Sequence, residues 1–285
     1  MASRNFLKLL PTVLIAATAF VYVVTDVRPI YPGSVGTAEL ARPGKMLMSR
    51  SSGRMSAVIG STLTASAAPI APYRAEIEAN TDNALGVLAN NVRPLSHPSA
   101  LRDAFASYFA FKTAHPGEVR KPYLYFVDYG LPSSTPRGYV FNMKSLSIVD
   151  GPFMVAHGRG SAPTASGVPT RFSNAFGAAT TSLGLYVAQS LYAFTGSSGG
   201  RSYHSVGLRL DGVSDGFNDN ALSRGVVAHG APYVTSTRAG RSEGCPAMET
   251  TRAKRLLPKL ANGGLVFLFA PDSNWMSRDP WLLAG

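Results

Sequence analysis

The apolar positions between about Pro72 and Thr113 follow a helical repeat. They recur every three or four residues, first in one run and then in a second run that follows Pro98-Ser99. Residues with this spacing lie on one face of a helix. The first face consists of Ala84, Leu85, Leu88 and Val92, and the second of Leu101, Ala104, Phe105, Tyr108 and Lys112. The pattern predicts two helices that pack against another part of the protein.

After Lys121 the pattern changes to short β-type runs separated by Gly, Pro, Asn and Asp. Such runs predict strands, and the continuous apolar run at 265–269 predicts a central strand. One further helix is expected around 250–257, ending near Pro258 because proline disfavours continuation of a helix. The other predicted strands are 123–129, 138–142, 146–149, 153–156, 205–210 and 225–229. The sequence therefore predicts a strand-dominated α+β domain with a helical N-terminal adjunct.

The N-terminal region has two patterns of its own. Residues 9–24 are apolar or weakly polar and follow Arg4 and Lys8, which is typical of a secretion signal or signal anchor. Cleavage after Ala17-Thr18-Ala19 would leave an apolar stretch exposed, so an uncleaved anchor is favoured over a removable signal. Residues 32–71 are rich in Gly, Ser, Ala, Thr and Pro and carry basic residues, which predicts a flexible basic tether.

These patterns divide the chain into four regions. We predict a signal anchor or signal peptide at 1–28, a basic flexible linker at 29–71, a helical adjunct at 72–121 and a catalytic domain at 122–285. The adjunct is expected to be a packing element rather than a cofactor-binding unit.

Composition and charge narrow the class of protein. The 285 residues carry a formal net charge of +11, with 45% hydrophobic and only 15% charged residues. An excess of positive charge favours an acidic partner, such as an anionic wall polymer or a membrane surface. Nucleic acid is not expected, because no recognition-helix, zinc or aromatic-basic pattern is present. The single cysteine excludes an intramolecular disulfide.

That cysteine, Cys245, is the strongest candidate for chemistry. Gly244 precedes it, Arg, Ser and Glu flank it, and His229 lies sixteen positions upstream at the end of an apolar run. A thiol with a nearby histidine forms a candidate nucleophile and base. A buried structural cysteine is the general alternative, but polar neighbours argue against it here. No His/Cys/Asp spacing matches a zinc site, so we do not expect a metal enzyme.

Seven ordered blocks from Asp128 to about Asp272 resemble the catalytic domain of the murein L,D-transpeptidases, the YkuD-type cysteine enzymes. The branch with Ser-x-Gly-Cys-Pro-Ala is the most similar. The blocks are VAHG at 155–158, RFSN at 171–174, SLGLY at 182–186, LRLDG at 208–212, NDNA at 218–221, VAHGA at 227–231 and GRSEGCPA at 240–247. The resemblance implies a β-sandwich-like L,D-transpeptidase fold.

The resemblance also implies roles for individual residues. Cys245 would attack a stem peptide, His229 would act as base, Ser242 would order the loop, and backbone amides at Gly244 and Cys245 would form an oxyanion hole. Five residues in or beside the blocks are candidate substrate contacts: His157, Asn174, Tyr186, Arg241 and Tyr233. His157 has an equal alternative as a satisfied core residue. Glu243 stands where most members carry histidine, so the role of that histidine does not transfer.

The function implied is cross-linking of peptidoglycan stem peptides through a Cys245 thioester, with no cofactor. Three alternatives stay open: an L,D-carboxypeptidase, another wall-peptide cysteine hydrolase, and a non-catalytic peptidoglycan-binding protein. Third-to-third and first-to-third linkages are both compatible. The expected location is the periplasm, with the anchor and the basic tether at the anionic inner-membrane surface.

Overall fold

The computed structural model describes residues 71–284. The anchor predicted at 9–24 and, apart from Ala71, the predicted linker at 29–71 lie outside the described residues. Two α-helices come first, α1 (Arg74–Leu88) and α2 (Ala100–Ala114). Ile77, Ala84 and Leu88 of α1 and most of one face of α2 are buried. This agrees with most of the helical spacing in the sequence, but Val92 lies beyond α1 and Lys112 is exposed.

Ten strands follow in the remainder of the described chain. Their bounds are β1 (Tyr123–Asp128), β2 (Gly138–Asn142), β3 (Ser147–Phe153), β4 (His157–Gly158), β5 (Gly184–Ser198), β6 (Arg201–Gly212), β7 (Val227–Gly230), β8 (Arg241–Ser242), β9 (Ala247–Met248) and β10 (Leu265–Phe269). Three helices are interspersed with or follow the last strands: α3 (Thr250–Leu260), α4 (Ser273–Met276) and α5 (Pro280–Ala284). The strand-dominated α+β class with a helical adjunct is confirmed.

Eight strands form one mixed sheet in the order β3-β2-β1-β10-β5-β6-β7-β9, and β4 and β8 form a second, two-stranded sheet. The apolar strand β10 is central, with β1 parallel on one side and β5 antiparallel on the other. Its five residues are all buried, as expected for a strand covered on both faces. α2 lies against β1 and β10, and α3 lies against β6 and β7.

The hairpin of β5 and β6 extends beyond the rest of the sheet. β10 pairs with β5 only at residues 184–187, and β7 pairs with β6 only at 207–209. The remaining part, residues 191–206, is a two-stranded ribbon in which β5 and β6 pair with each other. We call it the β5–β6 ribbon. Its Phe194 side chain lies next to β7.

A buried carboxylate ties the helical adjunct to the sheet. Asp128, at the end of β1, is fully buried. It accepts hydrogen bonds from the backbone N–H of Ser96 at 2.7 Å, from the Ser96 hydroxyl at 2.6 Å and from the Gly130 N–H at 3.0 Å. These bonds satisfy a group that would otherwise be costly to bury. The segment before α2 is thereby fixed to the end of β1.

No helix within residues 71–284 has the length and apolar character required to cross a bilayer.

Candidate active site

Cys245 lies in the short segment between β8 and β9 and is partly buried. β9 runs parallel to β7, with Ala247 opposite His229. Continuing that register by two residues places Cys245 beside Val227, whose backbone hydrogen bonds to the thiol. The strand pairing therefore places the segments that contain His229 and Cys245 side by side.

The cysteine loop is held by the hydroxyl of Ser242. The Gly244 N–H donates to Ser242 Oγ at 3.1 Å, and that hydroxyl donates to the Cys245 carbonyl at 2.7 Å. Ser242 therefore bridges both sides of the peptide unit that precedes the thiol. Since the Gly244 amide is already used in this bridge, the Cys245 amide is the stronger candidate for an oxyanion donor.

Gly244 occupies a position that only glycine fits. Its φ is +129°, a backbone angle that residues with a side chain rarely adopt. A Cβ at this position would also lie 2.7 Å from the carbonyl oxygen of Thr180. The backbone before the cysteine is thus packed directly against the loop that contains Thr180.

His229 has the tautomer that a general base requires. Its Nδ1 lies 3.1 Å from the Gly230 carbonyl oxygen, which can only accept, so Nδ1 carries the proton and Nε2 keeps a lone pair. The ring stacks on Phe194 of the β5–β6 ribbon, with centroids 4.2 Å apart and an interplanar angle of 21°. Burial lowers the pKa of His229 to about 4, so the ring is neutral near pH 7.

The thiol is also uncharged at rest. Burial raises the pKa of Cys245 above its usual value, and the Glu243 carboxylate raises it further. The backbone hydrogen bond from Val227 and the positive charge of Arg224 act in the opposite direction. A neutral thiol and a neutral imidazole can react when the proton moves to the ring during nucleophilic attack. A preformed ion pair of thiolate and imidazolium is not favoured.

Glu243 is held in an ion pair rather than left free. Arg159 Nε lies 2.8 and 2.9 Å from the two Glu243 carboxylate oxygens. The backbone N–H of Arg159 also donates to the Ser242 carbonyl at 2.7 Å. The residue after β4 therefore contacts the cysteine loop through both its backbone and its side chain.

His157 supports the same loop from a buried position. It lies in β4, which pairs in parallel with β8 so that His157 is opposite Arg241. Arg137 Nη2 donates to His157 Nδ1 at 3.0 Å, which leaves the ring proton on Nε2. Burial, followed by the charges of Arg137 and Arg241, lowers the pKa of His157 to about 4. The neutral ring is fully buried, but its Nε2 has no hydrogen-bond partner among residues 71–284, so it is not the satisfied core residue of the alternative. A substrate contact by His157 stays a prediction.

Asn174 and Tyr186 have structural partners. The Asn174 side chain donates to Asp219 Oδ1 at 2.7 Å and accepts from the Asn220 N–H at 3.1 Å, which joins two loops. Tyr186 is fully buried, and its hydroxyl is 2.8 Å from the Ser182 carbonyl, to which it donates. A substrate contact by either residue would require these bonds to open, and it stays a prediction without support from this geometry.

The last two candidate contacts are more accessible. Arg241 is exposed and donates to the Pro163 carbonyl at 3.4 Å, a long bond that a ligand could replace. Tyr233 is partly buried, packs edge-on against Tyr203 of the β5–β6 ribbon at 6.3 Å, and lies close to Gly240. Both lie beside the cysteine loop, where a peptide substrate could reach them.

Two residues of the site, Phe194 and Arg224, are not identified by the sequence patterns. Phe194 lies in a strand that the pattern did not predict, and its contact with His229 has no local sequence signal. Arg224 lies in the loop between β6 and β7, three residues after the end of the NDNA block, and influences the pKa of Cys245. Its place between the NDNA block at 218–221 and the VAHGA block at 227–231 is the only sequence indication. Within residues 71–284, no group of three or more His, Cys, Asp or Glu side chains could hold a metal ion.

Comparison with known proteins adds an independent observation. Residues 94–269, more than half of the chain, match the family model described as the L,D-transpeptidase catalytic domain. The matched range begins before α2 and includes every residue discussed in this subsection. No curated protein matches the chain significantly.

Several solved structures are similar at low sequence identity. An L,D-transpeptidase from Mycobacterium smegmatis has 13% identity and a TM-score of 0.31, with 53% of this chain and 59% of that chain covered. LdtMt1 in complex with imipenem has the same identity and TM-score, with 52% of this chain and 59% of that chain covered. The Ldtfm-avibactam carbamoyl enzyme also has 13% identity and a TM-score of 0.31, with 53% of this chain and 49% of that chain covered. The chain therefore spans about half to three fifths of those proteins.

Proposed function

Because this chain belongs to the family of L,D-transpeptidase catalytic domains, we propose that it is a peptidoglycan L,D-transpeptidase whose nucleophile is Cys245. The observation that carries the proposal is the pairing of β7 with β9, which brings His229 next to the cysteine segment with Nε2 unprotonated. The family acts on the cell wall, so an extracytoplasmic location follows from membership.

The first half-reaction acylates the enzyme. The Cys245 sulfur attacks the carbonyl carbon of an L-to-D peptide bond in a donor stem, and its proton passes to His229 Nε2. The negative charge moves to the carbonyl oxygen, where the Cys245 backbone amide can stabilise it. When the tetrahedral intermediate collapses, the imidazolium protonates the leaving amine of the D-amino acid, and a thioester is left on Cys245.

The second half-reaction resolves the thioester. The amine of a neighbouring stem attacks the thioester carbonyl while His229 takes its proton. The C–S bond breaks, a new amide cross-link forms, and the proton returns to the sulfur. The imidazole enters both steps neutral, with the lone pair of Nε2 free to take the proton. No cofactor enters either step.

Water in place of the acceptor amine would give carboxypeptidase activity from the same thioester. The buried setting of His229 and the partly buried thiol favour an acceptor that displaces water, which is why cross-linking is proposed first. Attachment to the inner membrane through residues 9–24, with the basic tether near the anionic surface, is part of the proposal and rests on the sequence pattern alone.

The test uses the full-length protein with tetrapeptide-bearing muropeptides. Mass spectrometry of the intact protein should detect an acyl adduct, and peptide mapping should locate it at Cys245. Product analysis should then show cross-linked dimers. Tripeptide products alone would identify a carboxypeptidase, whereas binding of muropeptides without any adduct or product would identify a non-catalytic wall-binding protein.

A further inference from the structure

Arg224 holds together the loop opposite the nucleophile. It lies between β6 and β7 and is partly buried. Its Nη1 donates to the Ser173 carbonyl at 2.9 Å, and its Nη2 donates to the carbonyls of Ala178 at 3.1 Å and Thr180 at 3.3 Å. One planar guanidinium thus fixes three carbonyls of a single loop. The fork of donors on arginine is suited to this task, whereas lysine has only a point charge.

The loop held by Arg224 lies directly against the cysteine segment. The Thr180 carbonyl, one of the three acceptors, is the atom that a Cβ on Gly244 would meet at 2.7 Å. The position of this carbonyl therefore limits where the Gly244 backbone can lie. Because Gly244 is bonded to Cys245, the Thr180 carbonyl restricts the backbone next to the nucleophile.

Within residues 71–284, the charge of Arg224 has no carboxylate partner. None of the ion pairs found in this range includes Arg224, and its hydrogen bonds go to neutral oxygen atoms. A partly buried cation surrounded by carbonyls is well placed to stabilise a transient anion nearby. Cys245 is such a group, since its thiol must become a thiolate during attack.

The other groups described around the thiol do not supply positive charge. Glu243 lies on its own loop and is paired with Arg159, and His229 on β7 is neutral near pH 7. Three tyrosine hydroxyls from β5 and the end of β1 also sense the charge of the thiolate: Tyr129, Tyr186 and Tyr192. Among the described residues, Arg224 is the cation that lowers the pKa of Cys245.

We propose that Arg224 is a positioning residue for the nucleophile: it fixes the Thr180 carbonyl against Gly244 and supplies the positive charge beside the thiolate that forms when His229 takes the proton. The proposal rests on the proposed function only in taking Cys245 as the nucleophile. It concerns a residue outside the cysteine motif and outside the histidine strand.

The test measures alkylation of Cys245 by iodoacetamide over a range of pH. Sulfur displaces iodide and the thiol proton goes to solvent, so the rate follows the thiolate fraction. Because the chain has one cysteine, intact mass reports this reaction alone. Arg224→Gln should raise the midpoint of the pH profile and lower the rate at pH 7 by about three- to tenfold. The matched control is Arg278→Gln. Arg278 is exposed and its Nε donates to the Asn274 carbonyl, so loss of its charge should leave the pH profile of alkylation unchanged.

Arg224→Lys separates charge from geometry. It should keep the wild-type midpoint for alkylation, while its acylation by a carbapenem slows by up to about a hundredfold because the carbonyls are no longer held in place. An unchanged midpoint in a folded Arg224→Gln protein would overturn the proposal. So would a midpoint in Arg224→Lys as high as in Arg224→Gln.

Melting temperatures verify that each variant is folded. If Arg224→Gln does not fold, Arg224→Lys decides. An alkylation midpoint above the wild-type value in Arg224→Lys overturns the charge role. Acylation of Arg224→Lys by a carbapenem at the wild-type rate overturns the positioning role. Alkylation needs no wall substrate. A profile that depends on Arg224 in a protein without transpeptidase activity would therefore retain this inference and reject the proposed function.

Discussion

The ring of Phe194 stacks on the imidazole of His229 at a centroid distance of 4.2 Å. Phe194 comes from the β5–β6 ribbon and His229 from β7, so the candidate base is covered by an element that is outside the cysteine motif. The stack, together with the bond from His229 Nδ1 to the Gly230 carbonyl, fixes the ring in one plane. The environment of the base is therefore set partly by the ribbon.

Phe194→Ala should change the pH dependence of acylation. Removing the phenyl ring lets water reach His229, so its pKa should rise from about 4 toward the ordinary value. Only the neutral ring can accept a proton, and activity is lost as pH falls through this pKa. The acid limb of the acylation profile should therefore move to higher pH. Phe176→Ala, at an exposed phenylalanine, is the control and should leave the profile as in wild type.

Cys245→Ala should abolish formation of the acyl adduct while leaving the fold intact. The substitution removes one sulfur atom from a partly buried position, so its effect on stability should be small. Intact-mass analysis after incubation with a carbapenem measures the adduct, and circular dichroism checks the fold. Cross-linked product from a folded Cys245→Ala protein would exclude Cys245 as the nucleophile.

His229→Ala should lower the acylation rate by roughly a hundredfold or more, the usual contribution of a general base. His204→Ala is a matched control, since His204 lies on β6, is exposed, and bonds to Thr195. Its rate should equal that of wild type. Equal rates in His229→Ala and His204→Ala would remove the base assignment from His229.

Gly244→Ala should inactivate the protein and lower its melting temperature. The new Cβ would clash with the Thr180 carbonyl, and the residue would have to keep a φ of +129°. Gly216, whose φ is +74°, provides the control, because no atom lies within 4 Å of the position that a Cβ would occupy there. Comparing Gly244→Ala with Gly216→Ala isolates the clash: a melting temperature equally reduced in both variants would show that backbone strain alone accounts for the effect.

Glu243→Gln should act on the thiol in the opposite direction from Arg224→Gln. The Glu243 carboxylate raises the pKa of Cys245, and its loss also removes a negative charge beside Arg159. The pKa of the thiol should fall and alkylation at neutral pH should become faster. Glu118→Gln, which removes a carboxylate paired with His115, is the control. Slower alkylation in Glu243→Gln would contradict the assigned sign.

The sequence pattern located the strands that are simple apolar runs. Those predicted at 138–142 and 265–269 coincide with β2 and β10, and the predicted helix at 250–257 is the first part of α3. α3 continues two residues past Pro258 and ends at Leu260, close to the expected end.

The longest strand was missed for a physical reason. β5 runs from Gly184 to Ser198, but the polar pair Gln189-Ser190 interrupts its apolar pattern. The structure has a register shift between Ala188 and Leu191 at this point. A register shift of this kind disturbs the alternation of side chains between the two faces of the strand. The two halves of β5 therefore do not appear as one strand in the sequence.

The candidate site was predictable only as far as its motifs reach. The GRSEGCPA and VAHGA blocks identified Cys245 and His229, but a separation of sixteen residues does not specify contact between their strands. Arg224 and Phe194 could not be found in this way, because each acts across a loop or strand far from it in the chain. Their positions follow from tertiary packing, which no local pattern encodes.

The β5–β6 ribbon has a consequence for heat inactivation. In this ribbon β5 and β6 pair only with each other, and an isolated pair of strands is marginally stable. β1 and β10, by contrast, lie at the centre of the sheet and should open less readily. Amide protons of the ribbon should therefore exchange with deuterium sooner than those of β10. Since Phe194 leaves His229 whenever the ribbon opens, acylation should fail during heating before the core melts. The temperature of half-inactivation should lie below the calorimetric melting temperature.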